Sequence, residues 1–191
     1  MNHLHDRIIE ISKKHGLSHL GSCLTAVDII DHIYATKGKD EPFVLSAGHA
    51  GLALYVVLEK YHGKDAEALY LKHGTHPNRD ELDGIYCSTG SLGQGITVAL
   101  GMAMANRDRN VHCLISDGEA FEGTIWEVGN VIERYRVGNL KLYCNWNGWA
   151  AYHAVDHKFI DRLKQAIPVK VVRTWVEDYQ LSGLSAHYVK A

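Results

Sequence analysis

Two short apolar runs, Val111-His112-Cys113-Leu114-Ile115 and Leu140-Lys141-Leu142-Tyr143-Cys144, frame a segment whose apolar residues recur at helical spacing: Phe121, Ile125, Val128, Ile132 and Tyr135. That stripe fills one face of a four-turn helix. A strand, a helix that carries the chain back and a second strand form a unit whose strands run parallel, because parallel neighbours need a crossover connection. Pro42-Phe43-Val44-Leu45-Ser46 and Val169-Lys170-Val171-Val172 read as further strands. The economical fold is α/β: a parallel sheet with helices on both faces.

Other segments fit this frame. Leu4, Ile8, Ile11 and His15 share a helical face until Gly16, and Val27, Ile30 and Tyr34 share another until Lys37-Gly38, with a loop over 17–22 between them. Helices are also predicted over 49–61 and 96–105, whereas 63–84 reads as irregular loop with one helical turn at 65–71. The 191 residues, at about 150 per domain, make 1–191 a single domain in which 156–191 is a shortened C-terminal extension.

Composition narrows the function classes. With 46% hydrophobic and 22% charged residues and three prolines, the chain has the apolar content of a folded globular protein. Lys and Arg number 20 against 22 acidic residues, and no basic cluster exceeds Lys13-Lys14, so no nucleic-acid partner is expected. No run of 18 apolar residues occurs and the start lacks a signal-peptide core, so no membrane association and a cytoplasmic location are expected. Cys23, Cys87, Cys113 and Cys144 stand singly with no CxxC pair, as reduced structural cysteines do.

Ligands of open parallel sheets bind beyond the carboxyl ends of the strands. Those positions hold Ser46-Ala47-Gly48-His49, Ser116-Asp117-Gly118-Glu119 and Asn145-Trp146-Asn147-Gly148. A carboxylate from one strand end and an amide oxygen from the next are hard oxygen donors of the kind Mg²⁺ or Ca²⁺ takes, often together with phosphate oxygens. The stretch Ser88-Thr89-Gly90-Ser91-Leu92-Gly93-Gln94-Gly95 opens a helix built of small residues, and backbone N–H groups at such a start suit a phosphate. Neither GxGxxG nor GK[ST] is present. Taken singly, Asp-Gly is an ordinary turn and a Gly-rich turn is commonly structural. The spacings His73-x-x-His76 and His153-x-x-x-His157 lack the further ligands of a zinc site, and Trp146 and Trp149 read as packing residues.

Together these segments resemble the thiamine-diphosphate-binding N-terminal domain of transketolases over roughly residues 15–155. The family's Gly-Asp-Gly motif with an Asn-containing loop about thirty residues on matches Ser116-Asp117-Gly118 and Asn147. The resemblance implies thiamine diphosphate and Mg²⁺ (or Ca²⁺ or Mn²⁺) as cofactors, with Asp117, Asn147 and the main-chain oxygen of Trp149 as metal ligands. It implies cofactor contacts at His49, Gly90, Ser91, Leu92, Gly118, Glu119 and Asn147. His19, in Ser18-His19-Leu20-Gly21, and His76, in His76-Pro77, would face the donor sugar and share proton transfer, a task for a group titrating near neutrality. Glu122, in the family's Glu-Gly continuation, would lie at a subunit interface beside the glutamate that activates the cofactor, with the 121–135 helix part of that contact.

The likeness also breaks in places. The resemblance implies a pyrimidine-binding domain and a C-terminal domain, which this sequence does not contain, so a second subunit carrying them is the implied partner, in a heterotetramer acting on sugars or sugar phosphates. Ser116 replaces the first glycine of the motif, and beyond Ile160 the family's later histidine segment and sugar-phosphate arginines have no counterpart. His187, in Ala186-His187-Tyr188, is the one further imidazole that the end of the chain offers to a cofactor. Ketol transfer is the implied reaction. The sequence leaves open another thiamine-diphosphate enzyme, deoxyxylulose-phosphate-synthase-like or a decarboxylase, a non-catalytic cofactor- or partner-binding remnant, and a purely structural α/β protein.

Overall fold

The computed structural model describes residues 3–183 and 185, so His187 lies outside the described residues. Among these residues four strands, β1 (Phe43–Leu45), β2 (Val111–Ser116), β3 (Leu140–Trp146) and β4 (Val169–Arg173), form one sheet in the order β1-β2-β3-β4. Every pairing is parallel, as the crossover argument requires. β2 is buried along its whole length, which suits a central strand covered on both faces.

Among the described residues, seven α-helices supply the covers: α1 (His3–His15), α2 (Leu20–Thr36), α3 (Gly51–His62), α4 (Ala66–His73), α5 (Gln94–Ala105), α6 (Gly123–Tyr135) and α7 (His157–Ala166). Because side chains alternate across a strand, Phe43, Leu45 and Leu114 enter one core with α1 to α4, whereas Val44, Cys113 and Ile115 enter a second with α5 to α7. Burying an Ile or Leu of these cores, such as Ile30 or Leu163, is worth about 1.5–3 kcal/mol. The four cysteines are buried free thiols. No helix among the described residues is long and apolar enough to cross a membrane.

The structure corrects four details of the sequence reading. α2 begins at Leu20 inside the expected loop, with His19 as its N-cap in the left-handed region at φ 64°. The expected single turn at 65–71 is a full helix, α4, because Asp65 caps it by accepting from the N–H groups of Glu67 and Ala68. Phe121 belongs to a 3₁₀ turn, Glu119–Phe121, and Glu122 is extended at the N-cap of α6, so the stripe's first member sits off the helix. α7 was unforeseen; Asp156 caps it by accepting from Phe159 N–H.

Candidate active site

The carboxyl ends of β1, β2 and β3 open into one cavity of about 310 Å³. His19, His49, His76, Gly90, Leu92, Asp117, Gly118, Glu119, Glu122, Asn147 and Trp149 all line it. Ser91 does not; it is exposed on the loop before α5, where its carbonyl accepts from Gln94 N–H at 3.3 Å. Register explains the convergence of the two polar loops: Ser116 lies opposite Asn145, so Asp117 and Asn147 leave adjacent strands at nearly the same level.

Asp117 is fully buried. Its Oδ1 accepts from Gly118 N–H at 2.9 Å and its Oδ2 from Gly148 N–H at 2.8 Å. Burial pushes its carboxyl up to about 7, against the pull of those two donors and of the Arg173 charge. Asn147, 2% exposed, turns its Oδ1 to accept from Trp149 N–H at 2.9 Å, which fixes the loop in a local turn. A buried carboxylate beside an amide oxygen and backbone carbonyls is a donor set for a hard divalent cation, and the cation's charge would offset the burial cost that raises Asp117. The residues present therefore fit such an ion.

Glu119 ties the remaining walls together. Its Oε1 accepts from Ser46 Oγ at 2.6 Å and from Gly93 N–H at 2.7 Å, while Oε2 takes a longer bond from Ser116 N–H at 3.4 Å. Ser46 Oγ in turn accepts from Ile96 N–H at 2.9 Å. One carboxyl thus joins the ends of β1 and β2 to the start of α5, and burial drives its titration up to about 7. The helix start approaches β1 so closely that a Cβ on Gly95 would stand 2.5 Å from Ser46 Cα.

Three imidazoles gather at the same cavity: the His19 ring centroid lies 5.4 Å from that of His49 and 6.1 Å from that of His76. His73 does not join them, being buried in a bond of 3.0 Å to Asp83 Oδ2. Sequence reasoning missed Phe121, Tyr152 and His153 as lining residues. His153 packs edge-on against Phe121, with ring centroids 4.7 Å apart. Their nearness in sequence to the motifs was the available signal.

A parallel sheet whose successive strand ends and a helix start surround one cavity, with carboxylate, amide and imidazole groups set in its wall, defines a ligand-binding α/β protein suited to a phosphorylated ligand. Within that class the family is specific: the family model described as transketolase, thiamine diphosphate binding domain, matches residues 13–165, and the chain belongs to that family. It is 32% identical over 154 residues to one of the subunits of the apulose-4-phosphate transketolase of Phocaeicola vulgatus, a match covering 70% of this chain and 54% of that protein. It is 31% identical over 154 residues to the 6-deoxy-6-sulfo-D-fructose transketolase subunit SqwG of a Clostridium species, covering 70% and 56% respectively. The chain spans about half the length of these curated relatives. Among solved structures, transketolase from Campylobacter jejuni aligns over 89% of this chain and 36% of its own with a TM-score of 0.70 at 22% identity, a likeness of fold.

Proposed function

We propose that this chain is the diphosphate-binding subunit of a split, thiamine-diphosphate-dependent transketolase. It transfers a two-carbon ketol unit from a ketose donor to an aldehyde acceptor, together with a subunit that carries the pyrimidine-binding domain. The observation that carries this reading is the meeting of Asp117 and Asn147 from adjacent strand ends with three imidazoles around one cavity. The names of two relatives as subunits of transketolases support the split organisation.

Thiamine diphosphate, when bound, supplies the carbanion chemistry that cleaves a ketose carbon–carbon bond. This chain's residues bind and orient. Asp117, Asn147 and the Trp149 carbonyl would hold Mg²⁺, a positioning role. His49 would donate to the diphosphate near the Gly90–Gly93 loop, with Leu92 and Gly118 in the wall of the cavity. His19 and His76 hold and pass protons at the donor's hydroxyls. Glu122, exposed at the N-cap of α6, faces the second subunit.

The test is co-purification of the tagged chain with thiamine diphosphate and Mg²⁺ present, followed by cofactor titration of the recovered complex. A stoichiometric partner and metal-dependent cofactor binding are expected. The Asp117→Ala variant should fold and lose that binding by at least about 100-fold. Wild-type-like binding by Asp117→Ala would refute the assignment.

A further inference from the structure

Asn147 and Trp149 lie beyond the sheet: β3 ends at Trp146, the chain bends at Gly148 with φ 94°, and the loop closes through the Trp149–Ala154 bridge and the Val155 N–H bond to Gly148 O at 2.8 Å. From the side of β4, Arg173, the last residue of that strand, backs the loop. Its Nη1 donates to Trp146 O at 2.8 Å and to Thr174 O at 2.8 Å, and Thr174 N–H donates to the same Trp146 O at 2.9 Å. The guanidinium lies over two indoles, 4.6 Å from the Trp146 centroid and 5.1 Å from that of Trp175. It also runs against Gly148 itself: a Cβ there would meet Nη1 at 3.1 Å and Nη2 at 3.2 Å.

Gly148 is the residue whose N–H fixes Asp117 Oδ2. The guanidinium therefore touches the backbone on which two of the three proposed metal ligands sit and the glycine that orients the third. Beneath it, Thr174 Oγ1 donates to Asn145 Oδ1 at 2.6 Å and Asn145 Nδ2 donates to Thr25 Oγ1 at 2.9 Å. This network fastens β3 and β4 to α2, the helix that His19 caps. None of the residues lining the cavity is Lys or Arg.

We propose that Arg173 is a positioning residue for the metal centre, acting through the Trp146 carbonyl and Gly148 to set the spacing of Asp117, Asn147 and the Trp149 carbonyl. The inference rests on the cofactor reading above and extends it to a residue outside the cavity. A flat guanidinium donates from Nη1 to two carbonyls while its plane lies near both indoles and Nη2 stands against Gly148; a lysine ammonium can donate but does not reproduce that flat shape.

The experiment compares wild type, Arg173→Lys and Arg173→Gln as full chains with whatever subunit co-purifies. Mn²⁺ binding in the presence of thiamine diphosphate is read from the free-ion paramagnetic resonance signal, and the metal-free melting transition is recorded beside it. Both variants should bind Mn²⁺ about 10–100-fold more weakly, with Lys giving no rescue and the metal-free transition retained. Unchanged Mn²⁺ affinity in either folded variant overturns the proposal. So does loss of the fold in both, which would make Arg173 a general determinant of stability. A wild-type protein that takes up neither Mn²⁺ nor cofactor would instead overturn the functional reading beneath it.

Discussion

Replacing Glu119 with Gln preserves the shape of a fully buried side chain and removes its charge. The Gln oxygen can still accept from Ser46 Oγ and Gly93 N–H, the bonds of 2.6 and 2.7 Å; only the weak 3.4 Å bond from Ser116 N–H is lost. In the native chain burial moves the Glu119 titration from 4.5 to about 7. Between those values the native state keeps a proton that the unfolded chain has released. Glu119's contribution is therefore intact below pH 4.5 and declines as pH rises towards 7. At about 1.36 kcal/mol per pH unit the full decline is about 3 kcal/mol. Glu119→Gln carries no such slope, so its stability relative to wild type should improve by about 3 kcal/mol between pH 4.5 and 8. Urea unfolding followed by circular dichroism across that range, with a chelator present, measures the difference. Asp117, also raised by burial, contributes the same limb to both proteins and cancels. Parallel pH profiles would refute the argument that Glu119 is charged at a cost.

Gly95→Ala places a methyl group 2.5 Å from Ser46 Cα, a backbone atom with nowhere to yield, so it should destabilise the fold by about 1–3 kcal/mol in the same urea assay. An unaffected midpoint would mean that α5 and β1 separate more easily than the contact implies. Glu41→Gln tests the opposite end of the sheet, where His112 Nε2 lies 2.8 Å from Glu41 Oε2 and holds that carboxyl down at about 2. A depressed carboxyl contributes above its unfolded value of 4.5 and loses that contribution as pH falls towards 2. Glu41→Gln should thus melt earlier at pH 6 and lose less on acidification to pH 3, as thermal melts at the two pH values would record.

Much of the architecture was legible because burial imposes a period. The runs at 111–115 and 140–144 stand where β2 and β3 stand, and Ile125, Val128 and Ile132 of the predicted stripe are on the face that α6 buries, whereas Tyr135 at its end is exposed. The misses have physical causes. α7 is short and mostly polar: its apolar stripe rests on Ile160 and Leu163 as the buried residues, with Asp156 as the capping signal before them. Phe121 kept the helical spacing without being helical, because it stacks on Phe159 at 3.9 Å between ring centroids and joins the aromatic group beside the cavity.

The site was legible for a different reason. A spacing of thirty residues between Asp117 and Asn147 is the length of one strand-helix-strand unit, so the motif encodes register: with Ser116 opposite Asn145, both side chains leave the sheet at its carboxyl edge. A slip of one residue between β2 and β3 would turn one of them to the other face. What holds the site was not legible, because those partners are common residues far away in the chain. Ser46 meets Glu119 across 73 positions, Thr25 meets Asn145 across 120, and Arg173 reaches Trp146 across 27. Ser46, Glu119 and Asn145 sit in the strand-end segments, but their pairings do not show there, and Thr25 and Arg173 have no motif at all; each contact becomes recognisable once β1, β2, β3 and β4 stand in order. The ligands of such a centre are written locally at strand ends, whereas the groups that fix their spacing are chosen by the fold. Variants of the second kind, Arg173→Lys among them, are therefore where sequence similarity alone would misjudge function.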